Sequence, residues 1–244
     1  MKKIKIVMTF FNRQDQLNRT LSTMNNYDPS EFGVVIVDDG SAKKVTVPKG
    51  LNFDVQVAMI KNKTWLQCDP SWNTGLHIAM KDNPEIIIIQ NAECMHFGNI
   101  LAAAKLVTDK TYISFGCYSL PRNAMPYALN DRHISFDGDS GWYNHPVHWP
   151  VGYHFCAAIT AENMRKLNGF DERFRNGKGF DDDDFIRRVR KLGLQVQITT
   201  NPYVFHQWHE PTKYDQTTQV NRELHAQFTI DGNIKAVHEL TKDL

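Results

Sequence analysis

Apolar residues along the chain fall into short runs that alternate with stretches of helical spacing. The run over residues 3–11, Lys-Ile-Lys-Ile-Val-Met-Thr-Phe-Phe, predicts a buried first strand. Residues 12–27, with Leu17, Leu21 and Met24 on one face, predict a helix behind it. Residues 32–37, Phe-Gly-Val-Val-Ile-Val, are apolar on both sides, as central parallel strands are. Shorter runs predict strands over 55–60, 85–89, 112–116, 155–159 and 196–198, with a further aromatic run over 203–209. Between them lie predicted helices over 71–81, 99–108 and 161–168, the last stopped by Gly169. Residues 120–150 are too long and polar for a plain connection, and such loops often carry function. The tail after Glu210 predicts a peripheral helix pair over 221–238.

Strands alternating with helices argue an α/β fold with a mostly parallel sheet and crossover helices. In such sheets ligands sit at the carboxyl ends of the strands. Polar residues follow a strand end three times: Phe11-Asn12-Arg13, Asp38-Asp39-Gly40-Ser41 and Asn91-Ala92-Glu93. Each alone is an ordinary strand-to-loop transition; their recurrence points to a shared edge.

The most chemically suggestive stretch is Gly177-Lys178-Gly179-Phe180-Asp181-Asp182-Asp183-Asp184-Phe185-Ile186-Arg187-Arg188. Read as a helix from Asp181, it puts Phe185, Val189 and Leu192 on one apolar stripe. Asp181 can cap that helix, and Asp184 stands one turn before Arg188, placed for an ion pair. Asp182 and Asp183 are left without a structural duty. Clustered acids raise one another's pKa, and a carboxylate so tuned can serve as a general base. The plain alternative is an acidic helix start favoured by the macrodipole.

Composition narrows the class. A net charge of +1 with 23% charged residues gives no electrostatic footprint for nucleic acid. No apolar run approaches the roughly 20 residues that span a bilayer. Met1-Lys2-Lys3-Ile4 leads into a strand rather than a signal segment. Cys68, Cys94, Cys117 and Cys156 have no paired C-x-x-C spacing and read as free thiols in a reducing, cytoplasmic setting.

Five elements, in order, resemble the family-2-type glycosyltransferases of the GT-A fold, the later ones also the galactosyltransferase C-terminal region. Thr9-Phe10-Phe11-Asn12-Arg13 resembles the opening T-x-Y-N-R, and Val35-Ile36-Val37-Asp38-Asp39-Gly40-Ser41 the V-V-D-D-G-S element. Trp72-Asn73-Thr74-Gly75-Leu76-His77-Ile78-Ala79 is similar to R-N-x-G-x-x-x-A, and Gly169-Phe170-Asp171-Glu172-Arg173-Phe174 to G-F-D-E-x-F. Gly179-Phe180-Asp181-Asp182-Asp183-Asp184-Phe185, with Arg188, resembles G-x-E-D-x-D-[IL]-x-x-R. The resemblance implies a Rossmann-like GT-A domain over 1–210, a nucleotide-binding half over 1–110, an irregular acceptor and catalytic half over 111–210, and a helical tail over 211–244.

What the resemblance implies chemically is an inverting, metal-dependent transfer of a sugar from a UDP-sugar to a hydroxyl of a glycan or other acceptor. Asp182 aligns with the general base, and Asp183 would hold the acceptor with Asp181. Asp38 and Asp39 would hold uracil and ribose, with Thr9, Phe11 and Arg13 around the base and Asn62, Asn73 and Asn91 as further donor contacts. The family's metal-binding D-x-D is replaced here by Asn91-Ala92-Glu93. Glu93 keeps one carboxylate, and His209, then His206, are the expected further ligands. An imidazole tilts the ion towards Mn²⁺ over Mg²⁺; otherwise the two histidines simply cap an aromatic strand end. Trp142, Tyr143, His145, His148 and Trp149 offer faces and polar edges suited to a sugar, in a loop able to close over the donor, or else tuck that loop onto the core. Two other readings remain: a catalytically silent GT-A domain that binds nucleotide sugar or glycan, and a nucleotidyltransferase, though Asn12-Arg13-Gln14 supplies no glycine- and lysine-rich phosphate loop.

Overall fold

The computed structural model describes residues 4–124, 141–210 and 216–244. Lys3 of the first strand run, residues 125–140 of the aromatic loop and the start of the tail at 211–215 lie outside the described residues.

Strands β1 (Ile4–Phe10), β2 (Phe32–Asp38), β3 (Val55–Met59) and β4 (Ile86–Gln90) form a parallel front sheet in the order β3-β2-β1-β4. Alternation along β1 explains why it is apolar throughout. Ile4, Ile6 and Met8 face one core with Leu17 and Leu21 of α1 (Gln14–Ser22), while Val7 faces a second core with Trp72 and Leu76 of α2 (Asp69–Met80). Gly75 lets α2 lie close on the sheet: a Cβ there would stand 2.6 Å from Val7 Cγ1 and 3.0 Å from Val37 Cγ2.

The second half departs from parallel pairing. β8 (Cys156–Thr160) joins β4 antiparallel, and β6 (Thr111–Ser119) joins β8 antiparallel. β9 (Gln195–His206) runs parallel to β6, β5 (Cys94–Phe97) closes the far edge against β9, and β7 (Trp142–Asn144) hangs off β6. The curled mixed sheet carries α3 (Ile100–Ala104) on one face, and α4 (Ala161–Leu167) and α5 (Asp181–Lys191) on the other. Among the described residues no helix is long and apolar enough to cross a membrane, and all four cysteines are free.

Several elements differ from the sequence expectation: β7 lies inside the stretch read as a loop over 120–150, and α3 covers only five residues of the helix expected over 99–108. Cys94–Phe97 pairs as a strand although its four residues carry no alternation signal. The segment over 196–198 and residues 203–206 of the aromatic run belong to one 12-residue strand, which ends at His206 and whose register shifts against β6 between Phe115 and Gly116. The tail is a single 16-residue helix, α6 (Gln216–Asp231), followed by irregular chain that packs back on the core. That packing centres on Glu172, which accepts from the backbone N–H of Glu239 (2.7 Å) and Leu240 (2.6 Å).

Candidate active site

Because β1, β2 and β4 run parallel, the loops at their carboxyl ends open on one edge. After β2 the chain turns at Gly40, whose φ of 83° favours a residue without Cβ. Asp38 is spent on that turn: its carboxylate accepts from the N–H of Ser41 and of Val45, each at 2.9 Å. Asp39 faces the opening and accepts from Lys63 Nζ (2.6 Å), Trp65 Nε1 (2.8 Å) and Ser71 Oγ (2.6 Å). Thr9 Oγ1 contacts Cys68 Sγ, and Phe11 stands 48% exposed at the rim with Lys63 Nζ 5.1 Å from its ring centre.

Behind this edge, the turn between β4 and β5 brings Glu93 to His206 at the end of β9 and His209 just beyond it. Glu93 Oε1 lies 3.4 Å from His206 Nε2 and 3.6 Å from His209 Nε2, and one ligand atom from each residue falls within 4.8 Å of the others. Arg13 Nη1 sits 2.6 Å from the same oxygen. Burial alone would push the Glu93 carboxyl up, but the two imidazoles and the Arg13 guanidinium hold it well below the usual carboxylate range. One ionised carboxylate and two imidazoles fit a divalent cation of the Mn²⁺ or Zn²⁺ type, and fit a hard, all-oxygen Mg²⁺ site less well.

Opposite stands the acid corner. Phe180 enters α5 in the left-handed region at φ 66°, so the helix cap is Phe180, without a side-chain bond, rather than Asp181. Asn221 of α6 braces this entry, donating to Phe174 O (3.0 Å) and Gly179 O (2.8 Å). One turn along, Asp184 and Arg188 form the expected buried pair at 2.6 Å, and Phe185 and Val189 are buried as the stripe predicts. Asp181 is buried, and desolvation, then the charge of Asp182, push its carboxyl up to about 6. Asp69, fully buried with no hydrogen bond to either carboxylate oxygen among the described residues, is raised well above its ordinary range by burial and then by Asp181 and Asp171. Asp182 is 40% exposed, with its Oδ1 2.9 Å from Nδ1 of His154. Asp183 accepts a short hydrogen bond from Tyr153.

The two halves meet in one cavity of about 330 Å³. Its wall includes Thr9, Phe11, Arg13, Asp39, Asn91 and Glu93 from the strand ends, and Asp181 and Asp182 from α5. Other expected residues stand outside it. Asn62 is exposed on its loop, and Asn73 is fully buried, bracketing Phe170 and bonding Glu172. Asp183 lines a neighbouring cavity with Tyr153, Arg187, Arg190 and His225. Trp142 packs on Tyr118 and Tyr203, Tyr143 contacts His206 and Phe155, and Trp149 is 55% exposed beyond the hairpin it forms with His145. Lys63, Trp65, Gln67, Trp72, His154 and Lys178 belong to the site or its wall without having been expected. Residues 61–68 carry no motif, and His154 precedes its strand as a lone histidine would anywhere.

Similarity to known proteins agrees with this geometry. Residues 5–155 match the model of Glycosyl transferase family 2, and residues 146–210 that of the N-terminal domain of galactosyltransferase. The chain therefore belongs to glycosyl transferase family 2, and its sheet is that of the GT-A fold. No curated protein shows significant sequence similarity to it. Among solved structures, S. aureus TarS superposes with a TM-score of 0.62 at 13% identity, covering 98% of this chain and 41% of TarS, so the chain spans well under half of that relative. The TarS 1–349 fragment in complex with UDP-GlcNAc gives 0.66 at 13% identity, covering 98% of this chain and 68% of that one. The mannosyltransferase PcManGT from Pyrobaculum calidifontis, in complex with GDP-Man and Mn²⁺, gives 0.57 at 17%, covering 96% and 66%. The catalytic domain of Drosophila beta1,4galactosyltransferase 7, in complex with xylobiose, gives 0.58 at 14%, covering 91% and 80%.

Proposed function

We propose that the chain is an inverting glycosyltransferase that moves a sugar from a UDP-sugar to an acceptor hydroxyl, with Asp182 as general base. The observation that carries the reading is the single cavity walled by the strand-end loops, by Glu93 and by Asp182. TarS with UDP-GlcNAc supports the donor class. Asp39, Phe11 and Thr9 would hold the nucleoside, and Arg13, Lys63 and Lys178 place positive charge on the same wall, suited to a diphosphate.

Glu93, His206 and His209 would hold a divalent cation, best Mn²⁺, which when bound supplies Lewis-acid stabilisation of the diphosphate leaving group. The protein's own part is proton transfer and alignment. The acceptor oxygen attacks the anomeric carbon as the bond to the diphosphate breaks, its proton passes to Asp182, and UDP leaves with the configuration inverted. Asp183, on the adjoining cavity with Tyr153, and the aromatic residues Trp142, Tyr143 and Trp149 belong to the acceptor side, within the 111–210 half. A silent nucleotide-sugar binder is the second reading, favoured by Arg13 sitting on the one carboxylate of the metal cluster.

UDP with Mn²⁺ is expected to raise the melting temperature. Asp182→Asn keeps that shift yet loses turnover across a panel of UDP-sugars. Full turnover in the variant removes Asp182 from the mechanism, and wild-type binding without turnover of any donor favours the silent binder.

A further inference from the structure

Two consecutive residues at the entry to β8, Tyr153 and His154, face two consecutive acids of α5, Asp183 and Asp182. His154 is only 4% exposed. Its ring is boxed edge-on by Trp72 (5.4 Å), Phe170 (4.8 Å) and Phe185 (5.7 Å between ring centres). A buried imidazole in an aromatic box costs free energy unless its polar atoms are answered. Here the answer at Nδ1 is an ion-pair contact with the Asp182 carboxylate at 2.9 Å.

We propose that His154 is the positioning residue of the acid corner, fixing one oxygen of Asp182 so that the other meets the acceptor hydroxyl. The proposal rests on the reading of Asp182 as base. It also assigns a charge logic. With the imidazolium in place, proton uptake by Asp182 would strand a buried cation. With a neutral ring, proton uptake by Asp182 leaves no uncompensated charge. Turnover therefore rises as pH climbs through the His154 titration. Burial pulls that titration down, and the charges of Asp182 and then Asp181 more than offset it, holding it above the ordinary imidazole value. The other ionisable groups around this contact are Cys68 and the buried Asp69 at the start of α2, Tyr112 and Tyr153, which feel the Asp182 charge, and Arg13, Asp39, Lys63, Glu93 and Lys178 on the cavity wall. Asp181 titrates nearby at about 6 and needs its own control.

The coupling is read without any ligand, by following the His154 ring resonances of the full chain by NMR against pH. The His154 midpoint should lie above that of free imidazole and fall by about one unit or more in Asp182→Asn. Turnover of UDP-N-acetylglucosamine, or of whichever UDP-sugar the panel selects, is then measured against pH. His154→Asn, whose amide stands where Nδ1 does but cannot titrate, should keep the high-pH kcat within about threefold and move the acid limb to lower pH, with Asp181→Asn as control. His154→Phe should lose about tenfold or more in kcat with the donor KM unchanged, a fraction of the ~10²–10⁴ that general base catalysis provides. A His154 midpoint indifferent to Asp182→Asn overturns the proposal, as does an acid limb that His154→Asn leaves in place. Full turnover by Asp182→Asn is a different failure, because it removes the base itself.

Discussion

Arg188 offers the sharpest test of what holds the acid corner in place. Its side chain and that of Asp184 are each 1% exposed, and Nε meets Oδ2 at 2.6 Å. Nη1 also donates to Leu167 O (3.1 Å) and Gly169 O (2.9 Å), tying α5 to the end of α4. Arg188→Met keeps most of the volume but removes one partner of a buried pair, a change that costs ~3–5 kcal/mol. Arg187 Nη2, 2.7 Å from Asp184 Oδ1, leaves the carboxylate partly answered and pulls the figure down. The two stranded carbonyls pull it up by roughly 1 kcal/mol each. A net loss of about 4 kcal/mol corresponds to a melting-temperature drop of roughly 8–16 °C for a chain of this size. The assay is urea unfolding alongside a thermal melt for Arg188→Met, Asp184→Leu and the double variant. Replacing both charges with apolar groups removes the buried-charge penalty, so the double variant should recover about 2 kcal/mol relative to the sum of the singles. An Arg188→Met protein melting within about 2 °C of wild type, or a strictly additive double variant, would refute the reasoning.

Two further outcomes follow from the same framework. Asn221→Ala strands the Phe174 and Gly179 carbonyls and should cost about 2–3 kcal/mol; it should also speed hydrogen exchange over 177–184, and unchanged exchange there would mean α6 does not brace the acid turn. Glu172 is desolvated, yet hydrogen bonds from Thr241, Asn73 and the 239–240 backbone outweigh that and hold its carboxyl below the ordinary value. Its contribution to stability is therefore present above the usual glutamate range and lost as pH falls through and below it, so Glu172→Gln should flatten the acid limb of a stability-versus-pH curve.

The alternation of apolar runs and helical stretches made the front sheet legible, because β1, β2 and β4 bury both faces and have no polar side to blur the signal. The acid helix was equally plain: the spacing of Asp184, Phe185, Arg188 and Val189 is set by the 3.6-residue turn alone. Pairing in the second half was not, since β5 is four residues long and β9 changes register in mid-strand. Its strands are held by partners distant in sequence rather than by local pattern.

For the site, residue type and spacing, which are local properties, were enough to single out the acids and strand-end loops as candidates. Which of these side chains share a cavity, and what each one touches, came only with the packing of the chain. Asp38 is tied into its own turn, Asn73 brackets Phe170, and Asp183 meets Tyr153 on a neighbouring cavity, while Asp39, Glu93, Asp181 and Asp182 line one cavity together. The partner that distinguishes Asp182, His154, lies 28 residues earlier along the chain and reaches it only because β8 and α5 pack on one core. Side-chain direction depends on that packing, and no local spacing encodes it.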